Sequence, residues 1–150
     1  MNRTVIKKIL SPLYKLKYRI NSNGWVYIGK QTKIVNPKHV ILEGANQIAP
    51  YCLICLHGDA SINLAEGVNI GMFSRLACIN EISIGKNVIT GPNVFVSDYN
   101  HAYEDIEKPI SAQGNIGKNN KVIIDDDCWI GTNVVICGNV HIGKHTVIGA

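Results

Sequence analysis

The sequence lacks the features that mark several common protein classes. Nowhere in its 150 residues is there a run of 18 apolar residues, so no segment reads as a membrane-crossing helix. No apolar stretch followed by a small-residue cleavage site reads as a signal peptide. Aromatic residues make up only 7 % of the chain. They are not interleaved with basic ones in the manner that stacks bases, so nucleic acid is not an expected partner. The five cysteines are odd in number and lack a disulfide-framework spacing; Cys52 and Cys55 form one C-x-x-C with no second pair to complete a zinc knuckle. Reduced, buried thiols in a cytoplasmic protein are the plain expectation. Acid is missing from one end. Residues 1–42 hold nine of the 15 Lys and Arg and no Asp or Glu, while the remaining 108 hold the other six and all eleven acids.

What is present is a period of six. Ile124, Ile130, Ile136, Ile142 and Ile148 recur at every sixth place, and Cys128, Val134, Val140 and Thr146 stand four places after the first four. Gly131, Gly143 and Gly149 each follow an isoleucine of the series, and Cys137 takes that slot after Ile136. This period fits neither the 3.6 of an amphipathic helix nor the alternation of a half-buried strand. It fits a solenoid of short strands joined by tight corners. Offsets of four and six are even, so those side chains point the same way along one flat side, and inward. The third place after each isoleucine holds Asp127, Asn133, Asn139 or His145, residue types that tolerate a left-handed backbone, and corners with positive φ are predicted there.

These residues resemble the hexapeptide-repeat acyltransferases. The stretch from Asp127-Cys-Trp-Ile-Gly-Thr-Asn-Val-Val-Ile136 through Val147-Ile-Gly-Ala150 is similar, nearly residue by residue, to the maltose and galactoside acetyltransferase branch, and the resemblance extends over about residues 26–150. It implies an all-β fold, a left-handed parallel β-helix of triangular section. It also implies a homotrimer with acetyl-CoA as co-substrate in the groove between adjacent subunits. Residues 1–24 are then a basic N-terminal cap and 25–150 the β-helix domain, with a protruding loop over 102–121.

Residues 3–20 read as an amphipathic helix with Val5, Ile6, Ile9, Leu10, Leu13 and Leu16 on one face. Pro12 is expected to break or kink it. The first reading is a helix that packs on the first coil and closes the solenoid's end. The second is a weak membrane-surface contact, which makes the protein peripheral to the inner membrane. Further along, fourteen residues separate Ile70 from Ile84, two more than two hexads, which predicts a small corner insertion. Forty separate Ile84 from Ile124, and the hexads fail from Ala102 to about Lys121. A long loop thrown from a rigid repeat scaffold is usually functional.

His101 stands at the root of that loop. Acyl transfer from a thioester to a hydroxyl needs a base, and an imidazole, titrating near pH 6.5 when unperturbed, can take a hydroxyl proton and hand it to the leaving thiolate. The run Ser97-Asp-Tyr-Asn-His101-Ala-Tyr also resembles the O-acetyltransferases of surface-polysaccharide synthesis, which implies that His101 is the general base. Asp98 is a candidate for orienting the ring. By the same resemblance, Trp129, Gly131, Thr132 and Ala150 are implied cofactor contacts, Trp129 being equally suited to the subunit interface. On the acceptor side, Asn80 and Arg75 are candidates for reaching the neighbouring subunit's groove, and Tyr103, Glu104 and Gln113 for holding sugar hydroxyls. A zinc-dependent carbonic anhydrase on such a fold needs three histidines. Only His141 and His145 lie close together, so no metal site is expected.

The family pattern continues past Val147-Ile-Gly-Ala150 with a further coil and residues for the CoA phosphates, so that part of the cofactor site is expected to be missing from these 150 residues. The expectation is therefore an acetyl-CoA-dependent O-acetyltransferase acting on a sugar hydroxyl of a carbohydrate acceptor. The alternatives are a catalytically weak trimeric scaffold and acyl transfer to a non-carbohydrate acceptor.

Overall fold

The computed structural model describes residues 3–150. One helix, α1 (Arg3–Tyr18), precedes a left-handed parallel β-helix with three flat faces. Face 1 stacks six short strands, beginning with Asn21–Ser22 and ending with Val140–Ile142. Face 2 stacks six, from Val26–Ile28 to Val147–Ile148, and face 3 five, from Lys33–Val35 to Val135–Cys137.

The hexad predicts this stacking directly. Ile84, Ile124 and Ile142 are register partners in one inward column of face 1. Ile34, Ile54, Leu76, Val96 and Ile136 form the column of face 3. Nearly all of these isoleucines, leucines and valines are buried, so the core is a continuous rod of aliphatic side chains. Turns approach closely at the glycine corners. A Cβ on Gly71 would sit 2.1 Å from the Gly91 carbonyl oxygen of the next turn, which only glycine avoids.

The predicted left-handed corners occur at Asp127 (φ 58°), Asn133 (62°) and His145 (59°), and again at Asn87 and Asn93 (both 58°). Side chains at these corners also link successive turns: Asn93 Nδ2 donates to Asn133 Oδ1 at 2.7 Å. Asn139 is the exception. There Gly138 takes the positive φ (95°), and Asn139 Oδ1 instead accepts from the Lys121 amide at 3.0 Å. The corner insertion expected between Ile70 and Ile84 is Ile79–Asn80, between the strands Arg75–Cys78 and Glu81–Ile84.

In the last turn Val122 pairs with Val140, which sets the length of a regular coil. Glu81 pairs with Lys121, a step more than twice as long, so the surplus chain leaves the prism between them. This excursion is more ordered than the failed periodicity implied. It opens with Asn100–His101 paired antiparallel to Asn115–Ile116 and carries a helical turn, α2 (Ile110–Gln113).

Helix α1 departs from expectation twice. It runs uninterrupted through Pro12. It also packs on the first coil with its polar and tyrosine stripe, not its aliphatic one. The Ser11 hydroxyl accepts from the Val26 amide at 2.9 Å, Tyr14 meets Tyr27 edge-on at 5.7 Å, and the Tyr18 hydroxyl donates to the Thr32 carbonyl at 3.1 Å. Lys7 bonds the Gln47 side chain and lies over the Tyr27 ring.

Candidate functional site

His101 sits where the chain leaves face 3 for face 1. The strand Phe95–Ser97 ends, Ser97 Oγ accepts from the Tyr99 amide and donates to the Tyr99 carbonyl at 2.9 Å, and the chain turns outward. The Asn100 side chain then accepts from the His101 amide at 2.9 Å. Three side-chain-to-backbone hydrogen bonds thus fix the root of the excursion. The imidazole itself is exposed, and among the described residues its ring nitrogens make no hydrogen bond or ion pair. It lines a shallow concavity of about 190 Å³ with Arg75, Phe95, Ser97, Tyr99, Asn100 and Cys137. The Arg75 guanidinium lies over the Phe95 ring at 5.8 Å. A bare imidazole and a guanidinium on one open concavity can take a proton and hold an anionic group. Cys137 and Phe95 were missed as site residues, though the pattern carried the signal. Each neighbours an inward residue, Ile136 or Val96, and so faces out.

Asp98 does not orient that imidazole. It is fully buried, and its carboxylate accepts from the amides of Ile79 (2.9 Å), Asn80 (2.6 Å) and Glu81 (2.8 Å). The Cys78 thiol points to the same carboxylate at 3.4 Å. The backbone donors of the two-residue corner insertion and of Glu81 after it need an acceptor away from water, and Asp98 of the following turn supplies it. Burial, reinforced by this carboxylate, pushes the Cys78 thiol up to about 12.

Asn80 is likewise occupied within the chain. Its Nδ2 donates to the Gly117 carbonyl at 2.9 Å and its Oδ1 accepts from the Asn119 amide at 3.4 Å, tying the returning limb of the excursion to the corner. Gln113 is a latch for the excursion and not a free sugar ligand. Its Nε2 donates to the carbonyls of Asp105 and Lys108, both at 2.9 Å, and its Oε1 accepts from the Asp105 amide at 3.1 Å. It lines a second concavity of about 370 Å³ with Ala102, Glu104, Asp105, Lys108 and Ile116. Tyr103 is exposed on the same excursion.

Gly131, Thr132 and Ala150 lie at the corner between faces 2 and 3, with Trp129 on the outer side of face 2. A Cβ on Gly131 would meet the backbone of Gly149 and Ala150 at 2.8–2.9 Å, so this corner is built of closely stacked turns. His101 leaves from the opposite edge of face 3. One chain therefore brings His101 and Arg75 together and leaves Trp129, Gly131, Thr132 and Ala150 along another edge. Earlier turns of the same edge carry apolar surface: Tyr51 and Phe73 stack at 5.1 Å, both with positive φ, and Met72 beside them is exposed, as are Trp129 and Val135 two turns further on.

Residues 121–150 match the family model described as bacterial transferase hexapeptide (six repeats). The chain is 27 % identical over 128 residues to a galactoside O-acetyltransferase of Lactococcus lactis, covering 80 % of this chain and 60 % of that protein. It is 29 % identical over 134 residues to a probable acetyltransferase of Mycobacterium tuberculosis, covering 87 % and 44 %. The chain thus spans about half the length of the curated relatives it matches. In fold it is similar to a variant of AntD, an N-acyltransferase of Bacillus cereus, solved with dTDP-4-amino-4,6-dideoxyglucose and coenzyme A. The TM-score is 0.69 at 18 % identity, over 100 % of this chain and 76 % of that one. With a period of six in its sequence, three parallel faces in its structure and the repeat signature over residues 121–150, the chain has the fold of a parallel β-helix and carries the bacterial transferase hexapeptide signature in its last turns.

Proposed function

We propose that this chain is an acetyl-CoA-dependent O-acetyltransferase that acts on a sugar hydroxyl in surface polysaccharide synthesis, with His101 as general base. The observation that carries the reading is an imidazole with both nitrogens unengaged, held at the root of the excursion beside Arg75. A neutral ring takes the acceptor's O–H proton as that oxygen attacks the thioester carbonyl. The tetrahedral oxyanion collapses, the C–S bond breaks, and the imidazolium returns its proton to the CoA thiolate. Such a base contributes about 10²–10⁴-fold, so positioning and oxyanion stabilisation supply the rest. The relatives' names, one a galactoside O-acetyltransferase and one an N-acyltransferase solved with an amino sugar nucleotide, support acyl transfer to a carbohydrate.

The site belongs to a homotrimer, its cofactor groove formed by the 129–132 corner of one copy and the His101 edge of the next. The separation of those residues within one chain supports this. So does the apolar rim around Phe73 and Tyr51, a patch of the kind soluble proteins cover by association. Gly131, Thr132 and Ala150 approach the pantetheine with small side chains, and Arg75 offers its charge to an anionic group of acceptor or cofactor.

The test follows CoA release from acetyl-CoA against a panel of sugars, amino sugars and sugar nucleotides. We expect turnover with at least one hydroxyl acceptor and a loss of about 10²–10⁴-fold in kcat for His101→Ala, with acetyl-CoA affinity unchanged. Unchanged turnover in the variant removes His101 from the mechanism. Calorimetry without acetyl-CoA binding, together with no turnover, favours a scaffold.

A further inference from the structure

Helix α1 is turned inside out. Its inward stripe is Lys7, Ser11, Tyr14 and Tyr18, which spend their polar atoms and rings on the first coil. Its outward stripe is aliphatic, with Val5 44 %, Ile9 61 %, Leu13 62 % and Leu16 78 % exposed. A helix serving only to close a solenoid in water would bury the second set and display the first. At 100° per residue, the exposed Lys8 and Lys17 fall on the two borders of the aliphatic strip. Lys30, Lys33 and Lys38 are exposed on the turn beneath it, and residues 1–42 carry no acid.

We infer that α1 docks this protein on an anionic lipid bilayer, lying in the interface with Val5, Ile9, Leu13 and Leu16 among the acyl chains and Lys8 and Lys17 at headgroup level. Sixteen residues make a helix about 24 Å long, suited to lying in the plane of the interface and too short to cross it. Charge selects the occupant. A second copy of this end would oppose one strongly basic surface with another, whereas an anionic leaflet complements it and adds about a factor of five in affinity per well-placed lysine. The aliphatic side chains supply the rest by leaving water. Because α1 is held to the first coil through its other face, docking needs no unfolding. The inference does not depend on the acyl-transfer reading.

Flotation of the full chain tests it, using vesicles of phosphatidylcholine with about 30 % phosphatidylglycerol and vesicles of phosphatidylcholine alone, in ~0.1 M salt. Binding to the anionic vesicles is expected, with little to the neutral ones. In Ile9→Ser/Leu13→Ser/Leu16→Ser binding should fall by about hundredfold or more, and in Lys8→Glu/Lys17→Glu by about tenfold or more. None of the five side chains belongs to the buried core, so the circular dichroism melt should be unchanged in both variants. Absence of the wild-type chain from the anionic vesicle layer overturns the inference. Retained binding by the triple-serine variant overturns it as well. A drop in solution mass for that variant would assign the strip to self-association and overturn it too.

Discussion

Asp98 and His101 lie three residues apart and face opposite demands. Asp98 is buried to satisfy the three amides of residues 79–81, so its loss is a stability event. Asp98→Asn presents an amide where several donors converge, and we expect it to cost about 2–4 kcal/mol in urea unfolding. An unchanged midpoint would mean that the corner holds itself. Cys78 extends the same network into a pH dependence. Its thiol, ordinarily at 9.0, is held up to about 12 in the folded chain. The unfolded chain therefore releases that proton first, the folded state binds one more proton in between, and stability falls as pH climbs from about 9 towards 12. Cys78→Ala should flatten this part of the alkaline slope when urea midpoints are compared at about pH 8.5 and 10.5. A slope identical to wild type would assign the effect to other groups.

At the scale of elements, the late strands were legible because an isoleucine at every sixth place leaves no competing period, and the corners because Asn and Asp mark positive φ. The coil with Gly138 escaped because an adjacent glycine offered an easier left-handed position than Asn139. Helix α1 was legible as a helix but not in its orientation. Its aliphatic stripe suggested the buried face, whereas Ser11, Tyr14 and Tyr18 make the contacts. The excursion was legible only as a loss of period. Its hairpin and its Gln113 latch depend on pairings between distant parts of the segment that no local signal encodes. Gln113→Ala removes three hydrogen bonds that close the excursion on itself. Limited proteolysis should then cut within 102–120 about a hundredfold faster with the prism intact, since each bond contributes about 1 kcal/mol net. Equal cleavage rates would show that the hairpin alone orders the segment.

On the scale of the whole molecule, the β-helix could be read from the sequence, and so could the residue offered as base and the groove between subunits that the resemblance implied. Which edge each residue occupies could not, because it depends on which corner each turn reaches. The proposed assembly draws on Tyr51 and Phe73, bulky residues held at positive φ where asparagine is cheaper, with their stacked rings left at the surface. Phe73→Asn should relieve the backbone while weakening assembly, which light scattering would register as a lower mass at micromolar concentration. The shared groove itself is tested most directly with mixed oligomers of two inactive chains, His101→Ala and Thr132→Tyr. A site that draws its base from one copy and its cofactor corner from the next regains activity in about one quarter of positions after random mixing. Recovery near that fraction is what the account predicts; no recovery in demonstrably mixed trimers of individually folded variants would contradict it.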